Sequence, residues 1–237
     1  MKHLLIVFFA LSAGRISAQL GEPRNALAFG VNAGLAMNQI GFTPSIKQGW
    51  HIGPTVGATF RITSEKYFNL LCALQVEFNF TQLGWKEQIQ SSQGLPLPDR
   101  YRRDMSYIEI PFLARLSLGR EQRGLMGYFI AGPQIGYLVG ERSHKSDTWT
   151  LNAEGRPDRP NGLAAQYDMS ADHKFDYGIA AGLGIELNNK AGHFMLEGRY
   201  YYGLSDIWKN DKRHVFSRSN NGTIAIKLSY LFDLKKN

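Results

Sequence analysis

Apolar and polar side chains alternate one by one along eight segments of this 237-residue chain. A period of two places successive side chains on opposite faces of a β-strand, so each segment predicts a strand with one apolar face. The predicted strands are Ala26–Ala36, His51–Ile62, Leu70–Thr81, Met105–Leu118, Leu125–Gly140, Phe175–Leu187, His193–Leu204 and Thr223–Leu234. Glycines leave the phase of the fifth strand ambiguous, and we take Phe129, Ala131, Ile135, Tyr137 and Val139 as its apolar face.

The connections between these segments alternate between long and short. The long ones are residues 37–50, 82–104, 141–174 and 205–222, and the short ones are residues 63–69, 119–124 and 188–192. Membrane β-barrels of the outer-membrane type have short periplasmic turns and long extracellular loops in this order. The alternation therefore predicts an all-β fold, an eight-stranded antiparallel up-and-down transmembrane β-barrel with both termini in the periplasm.

The face opposite the apolar one carries charges of both signs in the middle of the strands. The lumen of an eight-stranded barrel is narrow enough for side chains to fill it, and buried ions are tolerated when they are paired. We therefore expect an ion-pair network inside the barrel, formed by Arg61, Glu77, Glu109, Arg115, Asp176, Glu186, Glu197, Arg199 and Lys227.

Aromatic residues lie near several strand ends, with aliphatic residues between them. This arrangement is typical of an interfacial girdle around a lipid-facing band. The predicted girdle residues are Trp50, Tyr107, Tyr200, Tyr202, Trp208 and Tyr230. The girdle favours a membrane barrel over a soluble barrel, in which the charged face would point into water.

The N-terminus resembles a secretory signal peptide. A short basic start precedes the apolar run Leu4–Leu11, which is too short to span a bilayer as a helix, and small residues follow it. We predict a signal peptide over residues 1–18, cleaved after Ala18, and a barrel domain over residues 19–237. Gram-negative outer membrane is the predicted location.

Composition excludes several other classes of protein. The single cysteine, Cys72, allows neither an internal disulfide nor a cysteine-cluster metal site, and the six histidines are scattered. The net charge of +7 includes Lys2 and Arg15 of the leader, which leaves 7 − 2 = +5 without a basic stripe. No nucleic-acid partner, metal or other cofactor is expected.

Four stretches resemble the PorT-like outer-membrane β-barrel family of Bacteroidota. They are Tyr107–Leu113 (YIEIPFL, with the spacing Y-x-E-x-P), Leu74–Phe78 followed by Gly84 and Trp85, Tyr128–Pro133, and Gly178–Glu186 followed by Glu197–Leu204. The resemblance covers nearly the whole mature chain. It implies an outer-membrane barrel with no catalytic residues, and it makes support of a type IX secretion or surface complex one expectation.

Three functions stay open at this point. The first is a non-enzymatic barrel whose external loops bind, or whose wall supports, a surface or secretion complex. The second is a narrow porin-like channel for small solutes, which would need a continuous water path past the inner charges. The third is an outer-membrane hydrolase acting on lipid A or peptide, with His144 and Ser146 or Asp172 and His173 as candidate residues.

The second long loop carries a basic cluster formed by Arg100, Arg102 and Arg103. Guanidinium groups at the outer rim of a barrel could form charge-assisted hydrogen bonds with phosphates. Outer-membrane lipid and lipopolysaccharide are therefore expected partners, unless the cluster simply keeps the loop soluble.

Overall fold

The structure is a computed structural model that describes residues 21–121, 123–210 and 215–235, without the side chain of residue 161. The predicted signal peptide, residues 1–18, lies outside this described part. No helix in the described ranges is long and apolar enough to cross a membrane.

Eight long β-strands dominate the fold, and we number them β1 to β8. They are β1 Glu22–Thr43, β2 His51–Tyr67, β3 Leu70–Glu87, β4 Tyr101–Gly119, β5 Gly124–Lys145, β6 Phe175–Asn189, β7 Gly192–Gly203 and β8 Arg218–Lys235. A two-residue strand, Gln48–Gly49, also pairs with the end of β3. Two single-turn 3₁₀ helices, Pro160–Gly162 and Ala165–Tyr167, lie between β5 and β6.

The strands form a closed antiparallel ring. Each strand pairs with its neighbours in sequence, and β1 pairs with β8 to close the barrel. The sequence prediction of an all-β, eight-stranded up-and-down barrel is confirmed. Closure matters energetically because it leaves no strand with a row of unpaired backbone groups at an edge.

The connections give the barrel two different ends. Short connections follow Tyr67, Gly119 and Asn189 at one end, here called the turn end, where β1 begins and β8 finishes. Longer connections follow Thr43, Glu87, Lys145 and Gly203 at the opposite end, here called the loop end. The turn between β4 and β5 is flanked by Gly119 and Gly124, whose φ angles of 139° and 133° favour glycine.

The two faces of the wall have opposite chemistry over the turn-end half and the middle of the barrel. Large apolar side chains point outward and are exposed, for example Leu183 and Leu228, which are 67% and 65% exposed. Polar and charged side chains point inward and are buried. In β5, Phe129, Tyr137 and Val139 are exposed whereas Gln134 is buried, which agrees with the phase chosen from the sequence.

Several strands continue past their predicted ends at the loop end. β1 reaches Thr43, β3 reaches Glu87, β4 begins at Tyr101 and β5 reaches Lys145. In these extensions the apolar side chains change face: Phe42 and Trp85 point inward and are buried, whereas Lys86 and Arg102 point outward and are exposed. A strand prediction that follows one continuous apolar face therefore makes these four strands too short at the loop end.

Candidate functional site

All nine charged residues predicted to face the lumen are buried inside the barrel. Each of them is at most 9% exposed. Alternation along the strands places them there, because their sequence neighbours on both sides occupy the exposed outward face.

Glu186 organises the ions nearest the turn end. Its carboxylate accepts hydrogen bonds from Arg61 at 2.8 Å and from Arg115. The imidazole of His193 also contacts it, with 2.7 Å from Nδ1 to Oε1, while Nε2 of His193 lies 2.8 Å from Asp233. Two guanidinium groups therefore share one carboxylate, and the Arg115 guanidinium also lies 3.5 Å from the centre of the Tyr128 ring.

A second group of ions lies nearer the middle of the barrel. Glu77 accepts hydrogen bonds from Arg199 at 2.7 Å and from Lys227 at 2.5 Å, and Arg199 also contacts Glu197 at 2.5 Å. Gln75 joins the two groups, since its Oε1 accepts from Arg115 at 3.1 Å and its Nε2 donates to Glu77 at 2.7 Å. Seven of the buried ions thus form one connected network along the lumen: Arg61, Glu77, Arg115, Glu186, Glu197, Arg199 and Lys227.

Glu109 and Asp176 do not take part in ion pairs among the described residues. Neutral donors satisfy them instead: Thr81 at 2.7 Å and Gln134 at 3.1 Å for Glu109, and Asn221 at 2.9 Å together with Ser205 for Asp176. The expectation that all nine charges pair with one another is therefore wrong for these two. Hydroxyl and amide donors at neighbouring inward positions can replace a cation, which a search for charges does not detect.

Side chains fill the centre of the lumen. The cavity beside Glu109 and Lys227 has a volume of about 20 Å³, close to the space of one water molecule. A larger cavity of about 450 Å³ lies at the turn end, where Arg61, Arg115 and Glu186 form part of its lining. Within the described residues, the barrel is thus open at the turn end and packed in the middle.

Aromatic side chains close the loop end. A buried cluster contains Phe42, Trp85, Trp208 and Phe216, with Trp208 stacked on Phe42 and Phe216 at ring-centre distances of 5.4 and 5.0 Å. These residues come from the extended strands and from the β7–β8 connection. We call this the apolar cap, and it is completed by Ala36, Ile40, Leu83, Ile89, Tyr101, Met105, Tyr107, Leu138, Tyr167 and Ile207.

Polar contacts hold the long connection 146–174 against the barrel. Arg159 is buried, and it binds Asp99 at 2.8 Å and the hydroxyl of Tyr167 at 2.7 Å. The Tyr167 hydroxyl donates in turn to Glu87 at 2.9 Å. Burial raises the pKa of the Glu87 carboxyl, and hydrogen bonds from Tyr167 and Gln166 offset part of this rise.

Two residues of the predicted girdle were assigned to the wrong face. Tyr107 and Trp208 are buried in the apolar cap, with 2% and 1% of their surfaces exposed. Trp50, Tyr200 and Tyr202 do lie on the outer surface. The error arose because aromatic residues at strand ends serve a girdle and a cap equally well, and the sequence does not show which way a loop residue folds.

Two residues of the predicted basic cluster lie on opposite faces of β4, because successive side chains of a strand alternate between its faces. Arg102 is exposed, whereas Arg103 points inward, stacks over Trp85 at 5.4 Å and donates to the Met169 carbonyl. Arg100 is exposed at the end of the connection before β4. Arg103 is therefore not part of an external cluster, because Arg102 and Arg103 are adjacent residues of a strand rather than of a loop.

The candidate hydrolase residues are engaged in other contacts. Nε2 of His144 lies 3.4 Å from Asp104, and Oγ of Ser146 accepts a hydrogen bond from the Arg100 amide at 2.8 Å. Nδ1 of His173 lies 3.0 Å from the Asp206 carbonyl. No group of three or more His, Cys, Asp or Glu residues that could hold a metal occurs in the described part of the chain.

The apolar cap is the main feature that the sequence reasoning missed. Its signal is the change of phase in Met37–Phe42, where the apolar positions shift from odd-numbered to even-numbered residues. Such a change shows that the apolar side chains move from the outward positions of the strand to its inward positions.

A comparison with family models agrees with this architecture. The family model described as "Outer membrane protein beta-barrel domain" matches residues 17–209, and no curated protein matches the chain. Among solved structures, OprG of Pseudomonas aeruginosa is similar at 11% identity, covering 90% of this chain and 98% of its own, with a TM-score of 0.45. Ail of Yersinia pestis is similar at 12% identity, covering 89% and 99%, with a TM-score of 0.36.

Proposed function

Since the chain belongs to the outer membrane protein β-barrel domain family, we propose that this outer-membrane barrel is a non-enzymatic, non-conducting support that presents a folded head to a surface or secretion complex. In this proposal the turn end and both termini face the periplasm, residues 1–18 are a cleaved signal peptide, and the loop end faces outward. A role like that of PorT-like proteins of Bacteroidota is part of the same proposal.

The packed lumen is the observation that carries this proposal. A solute path needs a continuous water column, whereas the connected network around Glu77 and Glu186 fills the middle of the barrel, and the apolar cap closes the loop end. Opening such a path would leave buried ions without partners, which costs several kcal/mol for each ion. The barrel therefore supplies a rigid wall, and recognition is left to the exposed surface.

Two small hairpins lie in the connections of the loop end. Isolated bridges between Gln90 and Pro96 and between Leu151 and Pro157 define them, and the Ser92 amide of the first donates to Asp158 beside the second at 2.9 Å. Each hairpin exposes a leucine: Leu95 is 60% and Leu151 55% exposed. Exposed leucines on hairpins held together by hydrogen bonds are suited to contact with a protein partner.

Single-channel recording tests the non-conducting part of the proposal. The mature chain would be refolded into lipid bilayers, after heat-modifiable gel mobility has shown that the barrel is closed. We expect no resolvable openings. Steady openings would reject the support function in favour of a narrow channel.

Photo-crosslinking in the native cell tests the proposed head. A photoreactive amino acid at position 95 or 151 should form adducts with protein. The matched control is position 183, which is exposed on the outward apolar face and should contact lipid alone. Protein adducts at position 183 but not at positions 95 and 151 would contradict the proposal.

A further inference from the structure

A row of basic residues crosses three neighbouring strands at the loop end. Lys86 of β3 is the register partner of Arg102 of β4, and Arg102 is in turn the partner of His144 of β5. Arg142 lies one outward position nearer the barrel centre on β5, opposite Asp104. We call Lys86, Arg102, Arg142 and His144 the basic row, and all four are exposed.

The basic row lies directly beyond the apolar band of the same strands. On β4 the outward positions run from Phe112 and Ile108, which are exposed and apolar, through Ser106 and Asp104 to Arg102. On β3 they run from Phe80 through Gln82 and Gly84 to Lys86. The row thus faces sideways, towards whatever surrounds the barrel at the edge of its apolar band.

Like charges on directly opposed strand positions repel one another and destabilise a sheet. Asp104 relieves the row only in part, because it is 9% exposed and is shared by Nε2 of His51 at 2.7 Å, Nε of Arg102 at 2.6 Å and Nε2 of His144 at 3.4 Å. Arg102 uses Nε for this contact, and 47% of its side chain stays exposed. The terminal nitrogens of its guanidinium are thus placed to bind an external anion.

We propose that the basic row binds the phosphate groups of the outer-leaflet glycolipid, the lipid A part of lipopolysaccharide. Guanidinium and ammonium groups form charge-assisted hydrogen bonds with phosphate. The row spans two strand spacings, about 10 Å, so it offers cations to two phosphates on one sugar headgroup. The inference rests on the proposed orientation, in which the loop end faces outward.

Mass spectrometry of the intact barrel in detergent tests this inference. The protein would be titrated with bisphosphorylated lipid A, with monophosphorylated lipid A and with phosphatidylglycerol, and the retained lipid would be counted. We expect the bisphosphorylated form to bind at least about tenfold more tightly than phosphatidylglycerol, and its affinity to fall as salt is raised. The variant Arg102→Gln/Arg142→Gln should lose most of this preference.

The control variant Arg156→Gln/Lys209→Gln removes the same charge from exposed positions of the long connections. It should bind lipid A as the unchanged chain does, and heat-modifiable mobility would show that both variants fold. Equal losses in the two variants, or equal binding of phosphatidylglycerol and lipid A, would overturn the inference. Neither result depends on conductance, so a silent barrel without lipid A preference would reject this inference and leave the proposed support function intact.

Discussion

At the scale of single residues, the barrel depends on buried ions that share partners. Arg115 is 1% exposed, and it contacts Glu186, Gln75 and the ring of Tyr128. A buried ion pair is a weak source of net stability, but the loss of one partner is costly because the other charge stays buried. Single substitutions in the network should therefore have large effects.

Replacement of Arg115 by leucine should destabilise the barrel by about 3–5 kcal/mol, because Glu186 and Gln75 each lose a donor. A urea titration of the barrel in lipid vesicles would measure this change. Arg120→Leu, at an exposed position in the β4–β5 turn, is the matched control and should cost about 0.5 kcal/mol or less. Equal losses in the two variants would mean that Arg115 is not buried in the folded protein.

Because of Glu87, we expect the stability of the loop end to depend on pH. Burial raises the pKa of its carboxyl in the folded protein, so the folded state prefers the protonated form. The stabilisation is complete below the ordinary pKa of a glutamate, about 4.3, and is lost as pH rises through the raised value. The protection factors of residues 160–168, which are hydrogen-exchange rates corrected for the intrinsic effect of pH, should therefore fall between mildly acidic and neutral pH. Glu87→Gln should remove this trend, and an unchanged pH trend in that variant would assign it to another group.

At the scale of elements, the connection 146–174 behaves as a strap over the apolar cap. It carries two short 3₁₀ turns and the Leu151–Pro157 bridge, and backbone hydrogen bonds fix its two ends to Arg100 and Ile207. Between these ends its position depends on side-chain contacts. Arg159 supplies the central contact, since it binds Asp99 and Tyr167 and lies 4.9 Å from the ring centre of Trp149. Arg159 thus joins two points of its own connection to the connection that precedes β4.

Arg159→Ala should loosen this strap while leaving the barrel folded. Asp99 would keep its hydrogen bonds from Thr150 but lose its cation, and we expect a local cost of about 2–3 kcal/mol. Limited proteolysis should then cut within residues 146–174 much faster than in the unchanged chain. Arg156→Ala, at an exposed position of the same connection, should leave the cutting rate unchanged. Equal protection in both variants would show that other contacts hold the strap.

At the scale of the whole molecule, the barrel has three sections along its axis. A polar cavity of about 450 Å³ occupies the turn end, the ion network fills the middle, and the apolar cap closes the loop end. The outward surface follows the same division, with an apolar band around the first two sections and charges beyond it. The ion network and the apolar cap close the lumen independently of each other, because they are formed by different residues.

This independence predicts that removal of the strap alone will not open the barrel. Replacement of residues 147–172 by a short Gly-Ser linker should leave the lumen packed by Glu77, Arg199 and Lys227. Single-channel recordings of the deletion variant should stay silent, with heat-modifiable mobility as the check on folding. Openings that occur only in the deletion variant would show that the strap, and not the ion network, seals the lumen.

Side-chain alternation and connection lengths are enough to predict the barrel, its strand number and which charged residues share one face. A period of two is a direct property of the strand backbone, so Arg61 and Glu77 could be assigned to one face without any tertiary information. The alternating connection lengths supplied the topology. The choice between lumen and exterior followed from chemistry, since aliphatic side chains suit a bilayer and charged ones do not.

The partners of the inward charges and the positions of the loop residues depend on contacts between distant parts of the chain. Pairing of Glu77 with Arg199 joins residues 122 positions apart in the chain, and spacing along a strand carries no information about partners across a lumen. Trp208 was misplaced for a related reason: a loop side chain has no fixed period, so its contacts depend on how the connection folds back. Tyr107, by contrast, lies in β4 on the same inward face as Glu109. Arg103 lies on the opposite face from the arginine that precedes it. The reason is that β4 extends beyond the apolar band, and its inward face there packs against the apolar cap.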